Sequence, residues 1–223
     1  MKKIQLSIFC GLFAIILQGL LASCDEHEPI DYGHHIGYIL CDDHSCIAPE
    51  VYFSQEKKKA VGVVFAEKTD DYPVLAVMLR ETSGAFSDSL GLVNGTSKQV
   101  DLYDGLTNTI AMYQSKVKDT GKGSPIAEEM FTFHAGRQSD YIPSVAEQRL
   151  LTRSALLINP VIEKLGGTPI DISTDTWYWT STEVAENPGF QAWLCSSVNG
   201  GIIETPKTES HKVRAIVRLN YPD

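Results

Sequence analysis

Trp177-Tyr178-Trp179-Thr180-Ser181-Thr182 is the stretch on which the fold class turns. Aromatic and β-branched residues dominate it, so it reads as a strand. Alternation puts Trp177 and Trp179 on one face and Tyr178 on the other. Further strands follow at Gln191 to Ser197, Gly201 to Thr205 and Lys212 to Leu219. Val198-Asn199-Gly200-Gly201 is a hairpin-turn signal between two of them. In the last strand Val213, Ala215, Val217 and Leu219 alternate with Arg214, Ile216 and Arg218, which gives one apolar and one mostly polar face.

Working back from this β-rich third, the middle of the chain is helical. Thr107 to Lys118 places Ile110, Tyr113 and Val117 on one stripe, and Gly121 follows as a stop. Ser124-Pro125 opens a helix through Phe133, with proline where a missing N–H costs least. Ser144-Val145-Ala146-Glu147 is a capping-box pattern for a helix running to about Arg153. Asn159-Pro160 resembles the start of another helix, which Gly166-Gly167 ends. Earlier, Ile36 to Leu40, Ala60 to Ala66 and Val74 to Leu79 read as strands, and Asp70-Asp71-Tyr72-Pro73 as a turn. Arg80 to Leu106 has no clear pattern and reads as a long loop. Strands, then helices, then strands give an α+β fold, with antiparallel strands around two to four helices.

The 223 residues carry 19 Lys+Arg against 28 Asp+Glu, a net charge of −9. An apolar content of 43% is enough for a packed core. The acid excess excludes the basic face a nucleic-acid partner requires. The charge is unevenly spread. Lys2 and Lys3 precede an apolar run from Ile8 to Leu21, the layout of a secretory signal. The run falls short of the roughly 20 residues of a membrane-spanning helix. Residues 1–23 are therefore expected to be removed, 24–35 to form an acidic linker and 36–223 to fold. Removal leaves 17 basic against 28 acidic side chains, or −11.

Leu21-Ala22-Ser23-Cys24 resembles the lipobox of bacterial lipoproteins. The resemblance implies a diacylglycerol and an acylated N-terminus on Cys24, hence a membrane partner through a lipid anchor. Asp25-Glu26-His27-Glu28 resembles the surface-export signal of some Gram-negative outer-membrane lipoproteins, although a lone Asp after the cysteine resembles inner-membrane retention elsewhere. The run of acids favours an exposed outer-membrane location.

A second resemblance rests on order and spacing. The succession is Ala60-Val61-Gly62-Val63-Val64-Phe65, Asp104-Gly105-Leu106-Thr107-Asn108-Thr109, Tyr141-Ile142-Pro143-Ser144, Tyr178-Trp179-Thr180-Ser181-Thr182-Glu183, Gln191-Ala192-Trp193 and Lys212-Val213-Arg214-Ala215-Ile216. It is similar to an uncharacterised bacterial surface-domain family related to the C-terminal domain of collagen-like adhesins. Asp140-Tyr141 stands where Trp-Tyr is common. The resemblance covers roughly residues 36–219 and implies a C-type-lectin-like scaffold, related to formylglycine-generating enzymes, whose loops present a binding face.

Within that frame Trp177, Tyr178 and Trp193 are candidates to stack on a sugar or peptide, with core packing the competing reading for Trp179 and Trp193. Asn187, Asn199 and Lys207, with Pro188, Gly189 and His211, lie in or beside the connections of the last strands, where binding residues concentrate. Glu186-Asn187-Pro188 changes the order of the calcium-lectin step, so no calcium and no other cofactor is expected. Cys41-Asp42-Asp43-His44-Ser45-Cys46, with His34 and His35 upstream, can be read as a metal site or as a local disulfide, and an oxidising compartment favours the Cys41–Cys46 bond. Cys195 is expected to be buried as a small apolar residue. No hydrolase, metalloprotease or phosphate-loop motif is present. The expectation is a cell-surface module that binds a glycan or a host or surface protein without catalysis. The alternatives are a structural or accessory subunit of a surface or pilus assembly, and a diverged enzyme of the formylglycine-generating type.

Overall fold

The computed structural model describes residues 33–55, 57–118, 120–130, 134–135 and 138–219. The expected signal segment 1–23, the lipid site Cys24 and the acidic run from Asp25 to Glu28 lie outside the described residues. In chain order the elements are β1 (Ile39–Cys41), β2 (Cys46–Ile47), α1 (Pro49–Gln55), β3 (Ala60–Ala66), β4 (Val74–Met78), β5 (Thr82–Ala85), α2 (Gly105–Gln114), α3 (Pro125–Met130), β6 (His134–Ala135), β7 (Gln138–Ser139), α4 (Val145–Lys164), β8 (Trp177–Glu183), β9 (Gln191–Ser196), β10 (Ile202–Pro206), β11 (Ser210–Val213) and β12 (Ile216–Leu219). The fold is mixed α+β, and its described strands form two five-stranded sheets and a β6–β7 pair. The first sheet, β12-β4-β3-β1-β2, is antiparallel throughout. The second, β10-β9-β8-β11-β5, is antiparallel except where β11 runs parallel to β8.

Strand alternation divides the first sheet between two cores. Val64, Ala76, Val217 and Leu219 on one face meet Trp179, Leu194 and Val213 of the second sheet, with Met112 of α2 and Ile126 of α3. Val63, Leu75, Val77 and Ile216 on the other face meet Leu151, Ala155, Ile158 and Ile162 of α4. The register Val63–Val77–Ile216 accounts for this sorting.

The Ser144 capping box is present. Its hydroxyl accepts from the Glu147 N–H at 3.3 Å, and the Glu147 carboxylate accepts from the Ser144 N–H at 2.8 Å. Glu147 is also a tertiary hub, accepting from the Gly105 N–H at 3.1 Å and the Tyr141 hydroxyl at 3.0 Å. One buried carboxylate therefore caps α4 and fixes the start of α2.

Four expectations change. Lys212 to Leu219 is two strands, because the chain leaves the second sheet at Arg214-Ala215 and enters the first. Arg214 is fully buried at this crossing and donates to the Thr168 carbonyl. Second, α4 runs unbroken through Pro160. Asn159 does not cap a new helix; its amide bonds the Ile170 carbonyl at 2.7 Å and the Ile170 N–H at 2.9 Å. The stop at Gly166-Gly167 holds, since Gly166 has φ +75° and the Gly167 N–H reaches the Ile162 carbonyl at 2.9 Å, the Schellman arrangement. Third, Ile110 and Tyr113 face outward on α2. Beside Met112, the buried side of that helix is polar: Thr109 bonds the Gly105 carbonyl and the Ile142 N–H, and Asn108 accepts from the Ser97 N–H. Fourth, the stretch from Arg80 to Leu106 contains β5, whose partner β11 is remote in sequence.

Candidate functional site

The long connection after β5 is held by a buried ion pair. Lys207 and Glu183 are both fully buried and bonded to each other. Lys207 also donates to the Asn94 side-chain oxygen at 2.8 Å and the Leu92 carbonyl at 3.0 Å. Glu183 accepts from the Asn94 N–H at 2.7 Å and the Thr96 N–H at 3.2 Å. Burial lowers the Lys207 pKa from its ordinary value, and the Glu183 carboxylate opposes that shift. The pair fastens residues 92–96 to the end of β8 and the turn after β10. A second polar contact, between the Gly91 N–H and the Gly189 carbonyl at 2.7 Å, brings the loop onto the β8–β9 turn.

The second sheet carries an open cleft of about 460 Å³. Trp177, Leu194, Ile203 and His211 form its apolar and aromatic part, with Thr205, Ser83, Glu209 and Lys212 around them. The pairing of Trp179 with Leu194 and of Leu194 with Ile203 places these on one side of the sheet, and Trp177 joins them by alternation. His211 stands edge-on to Trp179, with ring centroids 5.3 Å apart, and bonds the Glu209 carboxylate at 3.1 Å. Lys212 pairs with Glu81 at 2.9 Å. A half-buried indole beside an imidazole and the hydroxyls of Ser83, Thr205 and Ser210 can seat a planar or apolar group with polar contacts at its edge.

Of the six expected ligand residues, only Trp177 lines this cleft. Tyr178 is corrected to a core residue: it lies on the opposite face, fully buried, and its hydroxyl donates to Glu81 at 2.8 Å. Burial and that bond raise its pKa. Lys207 is likewise corrected, its ammonium being spent inside on Glu183. Trp193 is half-buried on the face away from Leu194. Asn187 and Asn199 are exposed, but they flank β9 at its two ends, so no single loop face contains both. Asn199 folds back on its own turn, accepting from the Gly201 N–H at 2.7 Å. Ile203 and Thr205 could have been found from their alternation with Trp177 across β9. Ser83 could not, because β5 carries no strand pattern.

Cys41 and Cys46, the expected disulfide pair, are both buried in the β1–β2 hairpin. Leu40 pairs with Cys46, so alternation sends Cys41 to the other face of the hairpin. Among the described residues no group of three His, Cys, Asp or Glu side chains is placed to hold a metal ion. Cys195 is buried, and burial pushes its thiol up to about 12, so it stays protonated at neutral pH. Asp140 is buried with neither carboxylate oxygen hydrogen-bonded, and burial pushes its pKa up to about 7 against the pull of Arg80. No helix among the described residues is long and apolar enough to cross a membrane.

No protein-family model matches the sequence, and no curated protein does. Among solved structures, a fimbrial protein from Bacteroides ovatus is similar, with a TM-score of 0.65 at 16% sequence identity. The match covers 83% of this chain and 49% of that one, so the chain spans about half the length of the fimbrial protein whose fold it shares.

Proposed function

We propose that the chain is a structural or accessory subunit of a fimbrial assembly on the cell surface. The observation that carries this reading is the fold shared with the Bacteroides ovatus fimbrial protein. The lipobox-like Leu21-Ala22-Ser23-Cys24 supplies the attachment: an acyl anchor on Cys24 would hold the subunit to the outer membrane, with the acidic run behind it directing export. The protein contributes surfaces, not bond chemistry. Antibody-gold labelling of intact native cells tests the reading. Label on filaments or on high-mass envelope complexes is expected; label confined to the cell interior overturns it. Mass spectrometry of the mature N-terminus is expected to find acylated Cys24, and an unmodified cysteine sinks the anchor.

A second reading has its own observation. The Trp177 cleft of about 460 Å³ suits a ligand-binding module of the lectin-like kind. A glycan array probed with the mature chain, and with Trp177→Ala beside it, separates the two. Sugar binding that Trp177→Ala abolishes would establish the ligand-binding role.

A further inference from the structure

The net charge of −9 makes unneutralised cations conspicuous. Lys58, Lys98, Lys116, Lys207 and Lys212 each have a carboxylate partner. Arg149 and Arg153 do not: among the described residues neither has a carboxylate within ion-pair distance. They stand one turn apart on α4, where like charges repel.

The two arginines line a cleft of about 310 Å³, which Thr152 and the turn Asn199-Gly200-Gly201 complete. No acid lines it. The Arg149 Nε donates to the Gly200 carbonyl at 3.0 Å, which fixes the guanidinium and leaves its Nη groups as donors. The Thr152 hydroxyl is spent on the Ser196 carbonyl, and the Asn199 oxygen on the Gly201 N–H. What remains is the guanidinium donors of two arginines with no carboxylate facing them, the chemistry of a carboxylate site. Glycine keeps the wall low, since a Cβ at Gly200 would stand 3.2 Å from the Arg149 side chain.

The surroundings choose among carboxylate sources. Leu156 and Leu157 follow Arg153 by three and four residues, on the same turn of helix surface, and are 74% and 66% exposed. Val198, beside Asn199, is 50% exposed. A protein segment uses both halves of such a face, whereas an acidic sugar uses only the charged half. We propose that this face of α4 docks an acidic peptide segment of a partner protein, with Arg149 and Arg153 receiving its carboxylates and Leu156 and Leu157 its apolar side chains. The proposal names one contact chemistry within the assembly reading and rests on that reading for its partner.

The probe is the labelled peptide Asp-Glu-His-Glu-Pro-Ile-Asp-Tyr, the composition of residues 25–32 of this chain, titrated against the mature protein. Its Asn/Gln analogue and an oligogalacturonate are run beside it. Arg149→Gln/Arg153→Gln is expected to weaken peptide binding at least about tenfold, as is the analogue, because charge-assisted pairs are lost. Leu156→Ser/Leu157→Ser is expected to weaken it about threefold or more while leaving the melting temperature unchanged, since both side chains are exposed. The proposal is overturned by absence of saturable peptide binding to the wild type. Undiminished binding in the arginine double variant does the same. So does oligogalacturonate binding of equal strength that ignores the leucine substitutions. Sedimentation of native envelopes keeps the two readings apart: wild-type chain in high-mass complexes without peptide binding removes the docking site alone, and peptide binding without any complex removes the assembly reading alone.

Discussion

Gly105 occupies a position that tolerates no side chain. A Cβ there would lie 2.2 Å from Glu147 Oε2 and 2.6 Å from the Ile142 carbonyl. Gly105→Ala therefore displaces the carboxylate that caps α4, and a loss of about 3 kcal/mol is expected in urea unfolding. Asp140 makes the opposite case, a buried acid that costs stability when charged. Its folded pKa of about 7 lies above the ordinary 3.8, so its contribution is full in acid and is lost as pH rises through neutrality. Wild-type stability should decline between pH 5 and pH 8. Asp140→Asn should flatten that decline and gain about 2 kcal/mol at pH 8 relative to pH 5. Thermal melts of both proteins across that range measure it, and parallel profiles would refute it.

At the scale of elements, α4 carries a proline that its register does not need. Pro160 removes one N–H from the helix interior, and Leu156 loses the partner of its carbonyl. Pro160→Ala should raise stability by about 1–2 kcal/mol, read by denaturant midpoint. The β1–β2 hairpin has a comparable defect. His44 has φ +68°, and its N–H bonds the Cys41 carbonyl at 3.0 Å. His44→Gly should gain about 0.5–1 kcal/mol by the same measurement. These elements also show what was legible in the sequence. β3 was readable to the residue, because its seven residues form one apolar run between charges. The Ser144 cap and the Asn199-Gly200 turn were readable because local hydrogen bonds determine them. The continuity of α4 was not, since tertiary packing of Ile158 and Ile162 overrides the local proline signal. Neither was β5, a Thr-Ser-Gly-Ala strand made by its neighbour β11. Of the cleft, Trp177 was readable from alternation, but burial of Tyr178 and Lys207 depends on partners 97 and 24 residues away in sequence.

For the whole molecule, the Lys207–Glu183 pair is the fastening between the patternless loop and the second sheet. Lys207→Ala leaves the buried Glu183 carboxylate with only the partly exposed Lys98 ammonium, 3.8 Å away, and a loss of about 3 kcal/mol is expected. The double variant Lys207→Met/Glu183→Leu should recover part of that loss, because no lone charge remains. Limited proteolysis should then cut between residues 87 and 100 in the single variant before it does so in the wild type. Equal cleavage rates would show that the loop is held by other contacts.

The crossing at Arg214 has a mechanical consequence. β12 ends its sheet, and beside the Tyr141 bridge at Ile216 its four pairs with β4, Ile216–Val77 to Leu219–Val74, lie side by side along its length. Tension applied along that strand strains all four together in shear, not one after another as in unzipping. The next links in the load path are Ala215 and Arg214, and beyond them the force passes into β11 and the other sheet. In single-molecule stretching from the end of β12, the molecule should yield in one high-force rupture in which both sheets give way together.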